Sequence, residues 1–363
     1  MPVYKDKKTG LWFYKINYTD ISGEYRQKKK TGFKTKKAAQ DAEHLAASNL
    51  NLHSDSNITF SDLVKKYLEF TVNRIKYSSY YSIENLLRLH VTPFFGKKQA
   101  NNIKSKDIIA WQQGMLTKGY SHKYLTKIHA YLSTVMGFGV KHYRVRENPC
   151  LKVGNFQKPA ETQKLLSFWT RDEFDIFIAQ AEDDVLYKTF FMFLYYTGAR
   201  KGEAMAVKVH ELDTSAGTVN IAHTVSLRSR AGGWSLTTPK TPQSVRQILM
   251  PEILVEQLKK YLDYCRGFDG FSDDSFLFGL YRPLSPTTIA RRFEDFYNRT
   301  TNLKKIRIHD LRHSHASLLI NNGASILIVS QRLGHKDINE TLNTYSHMYP
   351  SKEKEIINII DNL

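Results

Sequence analysis

Residues 306–320 read IRIHDLRHSHASLLI, and the reading of the chain turns on what His309, Arg312, His313 and His315 are doing among these apolar neighbours. His309 and Arg312 stand three apart and so share a helix face. The His309–His313 spacing would also suit a metal. That alternative needs a third ligand and, in a zinc protease helix, a Glu directly after the first His, where Asp310 stands instead. Three further stretches are as unusual. In FMFLYYTGARKGEAMAV, residues 191–207, an apolar helix breaks at Thr197-Gly198 and restarts with Arg200. A guanidinium in such a context is paired or is waiting for an anion. In TTPKTPQSVRQILM, residues 237–250, Lys240 sits among small polar residues at the edge of a predicted strand, where a hairpin carries it over a ligand. In RLGHKDINETLNTYSHMYP, residues 332–350, His335 precedes Tyr345 by ten residues in a polar, loose or short-helical stretch. Together, two arginines, a lysine, two histidines and a late tyrosine form a metal-free kit for attack on a phosphodiester. The arginines bind non-bridging oxygens bidentately, the lysine protonates a leaving oxygen and the tyrosine is the nucleophile.

The rest of the chain supplies a partner for such a kit. The 363 residues carry 53 Lys and Arg against 35 Asp and Glu, a formal charge of +18. That excess points to a polyanion. It is uneven: residues 1–58 hold 11 basic and 6 acidic side chains, residues 59–158 hold 17 and 5, and residues 159–363 hold 25 and 24. A basic front joined to a near-neutral back fits a front that grips a phosphate backbone. The cations are spread over several elements instead of one amphipathic helix, which favours nucleic acid over an anionic membrane. No run approaches the roughly 18 apolar residues of a spanning helix. MPVYKDKKTG lacks the apolar core of a secretion signal, and Cys150 and Cys265 are too few for a disulfide framework. The expected location is the bacterial cytoplasm, in association with the nucleoid.

Hydrophobic patterning divides the chain in three. Leu11–Tyr18 and Glu24–Thr31 read as strands about a turn near Ser22-Gly23, and Thr35–Leu50 as a helix. The cations Lys15, Arg26, Lys28, Lys29 and Lys30 on this small sheet are candidates to contact a DNA groove. Asn51–Asn57 reads as a linker. Thr59 and Asp62 fit a capping box ahead of Phe60, Leu63, Val64, Tyr67 and Leu68, which repeat at helical spacing. Further helices are expected near Ser82–His90, Ser105–Lys118 and Ser121–Tyr143, with Arg146-Glu147-Asn148-Pro149 as a helix stop before a polar link to about Leu165. Lys97, Lys98, Lys123 and Lys127 are the DNA-contact candidates of this block. From Trp169 onward the pattern is mostly helical, interrupted by strands between Thr218 and Met250 with a hairpin turn at Arg230–Gly233. The fold class is therefore predominantly α with small β-sheets, over domains 1–54, 59–158 and 165–363.

The residues quoted above resemble the tyrosine recombinase (phage integrase) family across the whole 159–363 block. Arg200 in TGARKGE, Lys240 in PKTPQSVR, His309 and Arg312 in HDLRHSHA, His335 in LGHKD and Tyr345 in TLNTYSH fall in the family's order and spacing. Ala199 departs from the larger apolar residue common there. The 59–158 block, with FFGKKQANNI and RENP, is similar to the family's helical core-site DNA-binding domain, and residues 1–54 to its small arm-site sheet domain. The resemblance implies a mixed α/β catalytic domain in which Tyr345 attacks the scissile phosphate, forming a 3′-phosphotyrosyl bond and freeing a 5′-hydroxyl. Arg200, Arg312, His309 and His335 would then stabilise the pentavalent transition state, and Lys240 would protonate the departing oxygen. Glu203 is expected to orient the site, and Tyr345 is preferred over Tyr349 as nucleophile. The resemblance implies no metal and no cofactor. It also implies double-stranded DNA with core and arm sites as substrate, a homotetramer working through a Holliday junction, and, in an integrase, an excision factor and a host DNA-bending protein as partners. Ile356, Ile357, Ile360 and Leu363 pattern a short terminal helix suited to linking subunits. Relaxation by a type IB topoisomerase, DNA binding without catalysis, and zinc-dependent hydrolysis are the rival activities.

Overall fold

The computed structural model describes residues 3–7, 9–19, 25–53, 58–157, 167–230, 232–238 and 244–345. The chain separates into two compact units, residues 1–162 and 163–363. In the first, β1 (Tyr4–Lys5), β2 (Trp12–Thr19) and β3 (Tyr25–Phe33) form an antiparallel sheet in that order, followed by α1 (Lys36–His53). Strand alternation decides what the sheet offers. Tyr14 and Ile16 are buried, and their partners across the register are Lys30 and Lys28, with Arg26 opposite Tyr18. Lys15 pairs with Lys29 on the other face, where the Lys29 ammonium lies 4.5 Å from the Phe13 ring centre. The five candidate cations are all exposed, but they divide between the two faces and do not form one groove-facing row. The predicted turn at Ser22-Gly23 lies outside the described residues. Helix α1 runs to His53, so the first residues expected as linker continue the helix.

The helices α2 (Phe60–Thr71), α3 (Tyr77–Leu86), α4 (Thr92–Phe95), α5 (Ser105–Leu116), α6 (His122–His142) and α7 (Pro149–Val153) build the second part of this unit. Thr59 caps α2 as expected, its hydroxyl accepting from the Asp62 N–H at 3.1 Å. Phe60, Leu63, Val64 and Tyr67 turn inward to join Phe95, Ile108, Trp111, Leu132 and Val135 in one core. Between α3 and α4 the chain takes a π-helical turn, Leu87–Val91. Such a turn breaks the regular carbonyl ladder, and the His90 carbonyl accepts instead from the Trp111 indole at 2.9 Å. Gly139 on α6 lets Leu63 and Val145 pack close, since a Cβ there would come within 2.8 Å of Leu63 Cδ2 and 2.9 Å of Val145 Cγ2. The RENP segment is a correction: it starts a helix. Asn148 caps α7 by accepting from the Cys150 N–H at 3.0 Å, and Pro149 takes the first turn, where a missing N–H costs nothing.

In the second unit α8 (Arg171–Ile178) and α9 (Val185–Thr197) lead into the short α10 (Lys201–Ala204). Helix α9 is buried on nearly all sides, and its Phe190, Phe191 and Phe193 pack among Phe177, Phe278, Phe293 and Phe296. Strands β4 (Leu212–Asp213), β5 (Thr218–Ile221) and β8 (Arg246–Leu249) make one sheet. β6 (Thr224–Ser226) and β7 (Ser235–Thr237) make the hairpin expected around Arg230–Gly233. Helices α11 (Glu252–Cys265), α12 (Pro286–Asn298), α13 (Asp310–Asn321), α14 (Ile326–Leu333) and α15 (Ile338–Tyr345) complete the unit. The last three share a small separate core of Ala316, Ile320, Val329, Leu333 and Tyr345. The chain is mostly helical with small antiparallel sheets, as its patterning indicated. Among the described residues no helix is long and apolar enough to cross a membrane.

Candidate active site

The site forms where the break after α9 meets α13 and the α14–α15 connection. Gly198 ends α9 in the left-handed region at φ 67°, and a Cβ there would lie 2.6 Å from the His315 ring. Glycine is therefore required both by backbone and by space. The turn it makes aims the Gly198 carbonyl at Arg312, whose Nη1 donates to it at 2.8 Å while Nη2 donates to the Leu333 carbonyl at 2.7 Å. Arg312 is 3 % exposed. Among the described residues no carboxylate lies within ion-pair distance of it; its hydrogen bonds go to carbonyls, and Glu203 favours its charge from farther away. Burial, then the nearby Arg200, works against its charge. A guanidinium stays protonated in proteins, so the site stores a buried positive charge that an arriving phosphate would neutralise.

Arg200 caps α10, and the capping pattern explains its placement. Its backbone N–H donates to Glu203 Oε2 at 3.0 Å and its Nη1 to Glu203 Oε1 at 2.8 Å. The buried Glu203 also accepts from Arg246 Nη2 at 3.0 Å. Burial opposes ionisation of Glu203, but Arg246 and then Arg200 outweigh it and hold the carboxyl below its ordinary range. The Arg200 side chain remains 36 % exposed, which leaves a face for an anion. Glu203, expected to orient the site, touches Arg200 and Arg246. Arg246 was not singled out from the sequence. Its signal is the alternation of β8, which turns Arg246 to the side of the buried Ile248, where an arginine needs partners. Those partners are Glu203, the Ser244 carbonyl at 3.0 Å and the Arg332 carbonyl at 2.7 Å. Arg332 in turn donates to His315 Nε2 at 3.0 Å and to the Leu249 carbonyl at 2.9 Å.

His309 is exposed and stands at the N-cap of α13, one residue before the helix, so the shared helix face expected for His309 and Arg312 is replaced by a capping position beside a buried helical residue. His335 follows α14, and its Nδ1 lies 2.7 Å from the Thr341 hydroxyl. Burial, then Arg312 and Arg200, pushes His335 down to about 4, so its ring is neutral at pH 7. Tyr345 ends α15 at 1 % exposure; of the loose or short-helical stretch expected there, the structure has the short helix. Burial raises its hydroxyl to about 12 although Arg312 and Arg200 pull the other way. The hydroxyl lies 2.6 Å from Nδ1 of His313, a histidine read from the sequence through its metal spacing. Arg200 influences His309, Arg312, His335 and Tyr345 electrostatically, which places these five candidates in one site. Lys240, Tyr349 and the terminal helix lie outside the described residues. Among the described residues no three His, Cys, Asp or Glu side chains converge as a metal site would need.

Comparison with known proteins bears on the same region. The Phage integrase family matches residues 161–352, an Arm DNA-binding domain matches residues 2–49, and a Phage integrase N-terminal SAM-like domain matches residues 59–116. The ICEBs1 integrase of Bacillus subtilis is 27 % identical over 85 % of this chain and 84 % of its own length. The transposase from transposon Tn916 of Enterococcus faecalis is 26 % identical over 69 % of this chain and 65 % of its own. Among solved structures, the Tn1549 transposon integrase in complex with a circular intermediate DNA superposes with a TM-score of 0.69 at 21 % identity, covering 83 % of this chain and 99 % of that one. A lambda integrase tetramer bound to a Holliday junction gives 0.59 at 17 % identity, over 94 % and 97 %. Those two likenesses are of fold. The family match spans more than half of the chain and takes in Arg200, Lys240, His309, Arg312, His335 and Tyr345, and on it the chain belongs to the phage integrase family of site-specific tyrosine recombinases.

Proposed function

We propose that this recombinase cuts and rejoins DNA by the transesterification chemistry of type IB topoisomerases, with Tyr345 as nucleophile. The observation that carries this is Arg312, a buried guanidinium whose hydrogen bonds go to carbonyls and whose charge acts on the Tyr345 hydroxyl. Tyr345 Oη bonds to the scissile phosphorus as the bond to the 5′ oxygen breaks, leaving a 3′-phosphotyrosyl link. Arg200 and Arg312 bind the non-bridging oxygens, His309 and His335 donate to the developing charge, and Lys240 protonates the departing 5′ oxygen. Preorganised donors of this kind are worth ~10²–10³ in rate each. The phosphotyrosine conserves the bond for religation to a partner strand, so the exchange needs no nucleotide to drive it.

The substrate is double-stranded DNA with core and arm attachment sites on a phage or integrative element. Residues 1–54 hold the arm sites, 59–158 the core and 165–363 the chemistry. Lys15 and Lys29 on the open face of the sheet, and Lys97, Lys123 and Lys127 on the helical part, contact DNA; Arg26, Lys28 and Lys30 contact it from the sheet's helix side. Four protomers exchange strands in pairs through a Holliday junction, linked by their terminal segments, with an excision factor and a host bending protein setting direction. The work is done in the bacterial cytoplasm at the nucleoid. The test is a labelled, nicked duplex carrying the element's attachment core, incubated in EDTA and resolved under denaturing conditions. A covalent band is expected with the wild type and with Tyr349→Phe and none with Tyr345→Phe. A surviving band in Tyr345→Phe overturns the assignment, and no band with any protein despite a mobility shift favours a binding protein without catalysis.

A further inference from the structure

We infer that His313 is the proton acceptor for Tyr345, a role that rests on Tyr345 being the nucleophile. Nδ1 of His313 and the Tyr345 hydroxyl are 2.6 Å apart, and among the described residues His313 is the base in hydrogen-bond contact with that oxygen. The other histidines are placed differently. His309 lies edge-on against the His313 ring with centres 5.5 Å apart, and His335 spends its Nδ1 on Thr341.

The tautomer follows from what stands behind the ring. Nε2 of His313 faces Asp310 Oδ1 at 4.0 Å. Asp310 is 3 % exposed and is fixed by Arg307, whose backbone N–H donates at 2.8 Å and whose Nη2 donates at 2.8 Å. A carboxylate on that side favours the proton on Nε2 and leaves the Nδ1 lone pair pointing at the tyrosine. Tyr345 therefore donates and His313 accepts, and the Asp310 charge favours this tautomer.

Before the reaction the proton belongs to the tyrosine. The groups facing His313 are Asp310 and Arg312 on α13, His309 at its N-cap and Arg307 before it, His335 ahead of α15 and Tyr345 on α15. Burial, then His309, with Arg312 and Arg307 beyond, pushes His313 down to about 4. Transfer is thus coupled to the reaction. As Oη bonds to phosphorus its basicity collapses, and the negative charge gathering on the phosphate offsets Arg312, so Nδ1 becomes the better home for the proton. The Oη–P bond forms, the P–O5′ bond breaks, the phenolic proton passes to His313 Nδ1, and the leaving oxygen takes its own from Lys240. In religation the incoming 5′-hydroxyl gives its proton to Lys240 and attacks phosphorus, the P–Oη bond breaks, and His313 returns its proton to the tyrosine.

The experiment is single-turnover formation of the covalent complex on the nicked core duplex between pH 6 and 9. It compares the wild type with His313→Asn, His313→Ala and Tyr345→Phe, with DNA binding and thermal midpoints measured on each. Asparagine offers an acceptor oxygen close to where Nδ1 lies but does not take up a proton. The expected result is a fall of ~10²-fold or more at pH 7 for both His313 variants, a rate that then climbs about tenfold per pH unit as hydroxide replaces the base, and partial rescue of His313→Ala by added imidazole. A merely structural role would give neither the new pH slope nor the rescue. A His313→Asn rate within twofold of wild type, with the same pH profile, overturns the inference and leaves Tyr345 standing. An adduct in Tyr345→Phe overturns the underlying assignment instead. Should the variants not fold, nitrogen-15 imidazole shifts of the wild type decide: Nδ1 bare and Nε2 protonated at pH 7 is expected, and a protonated Nδ1 overturns the proposal.

Discussion

Arg312 shows why a conservative exchange at one position is not conservative here. Its two terminal nitrogens reach two carbonyls on different segments, Gly198 and Leu333, and the planar fork spans them at no rotational cost. A lysine is a single point donor and reaches one carbonyl at most. The other, turned into the interior, loses its partner. Arg312→Lys is expected to bind the core duplex as the wild type does and to form covalent complex ~10²–10³ more slowly; adduct formation within threefold of wild type would contradict the role given to the fork. The buried histidines make a second point about charge. Burial, then Arg332, pushes His315 down to about 3, and burial with Arg312 pushes His335 down to about 4. A histidine whose folded value lies below its unfolded 6.5 makes the unfolded chain the better proton binder between the two. Stability is then full above pH 6.5 and falls as pH drops toward 3. His315→Gln keeps an acceptor for Arg332 without titrating, so its thermal midpoint is expected to fall less between pH 7 and pH 5 than that of the wild type. Equal falls would remove His315 as a source of the effect.

At the scale of elements, the turn from α9 to α10 sets three things at once: the direction of Arg200, the carbonyl for Arg312 and the space for His315. Gly198→Ala forces a side chain into the left-handed region and against the His315 ring. A cost of roughly 1–3 kcal/mol is expected, seen as a lower denaturation midpoint, together with loss of cleavage at temperatures where the protein is still folded. A variant as stable and active as wild type would mean that the turn is plastic. This break was legible in the sequence because a glycine after an apolar helical run is a helix stop with a mechanism. So were α2, α5 and α6, whose apolar positions recur at helical spacing; the helix expected over Ser82–His90 instead starts at Tyr77 and passes into the π turn at Leu87–Val91, and the short α4 had no such signal. The RENP segment misled because proline ends one helix and begins the next with equal ease, and the local sequence does not say which; the tie is broken by Cys150 and Phe156 packing into the core of that unit. Of the site, the order Arg200, His309, Arg312, His335, Tyr345 could be read from motifs, since each lies in a short distinctive string. The His313–Tyr345 contact and the Glu203–Arg246 pair could not, because their partners are 32 and 43 residues apart and meet only when α13, α15 and β8 pack.

Across the whole molecule, the excess of positive charge in residues 59–158 invites the view that every lysine there touches DNA, and packing separates them. Lys98 Nζ donates to Asp107 Oδ1 at 2.7 Å, with the carboxylate side chain only 15 % exposed. Burial of Asp107 opposes its charge, but Lys98 and the Lys104 backbone N–H win and hold its carboxyl low. Lys98 therefore ties the loop after α4 to the first turn of α5, and its charge is engaged by Asp107. Lys123 and Lys127 are exposed and one turn apart on α6, where their ammonium groups are free to displace counterions from a phosphate backbone. Changing both to Glu is expected to weaken binding to core and non-core duplexes alike and to reduce the slope of log K against log salt by about 0.9 for each phosphate that is no longer neutralised. The thermal midpoint should stay within a degree or two. Lys98→Ala is expected to do the reverse, lowering the midpoint and leaving the salt slope as it was, because the mostly buried Asp107 carboxylate would lose its ion-pair partner and keep only the Lys104 N–H. Titrations of the three proteins on one duplex between 50 and 200 mM salt, beside their melting curves, separate the two classes of lysine. A shallower slope for Lys98→Ala, or an unchanged one for the Lys123 and Lys127 double variant, would show that the basic surface engages DNA from a different side.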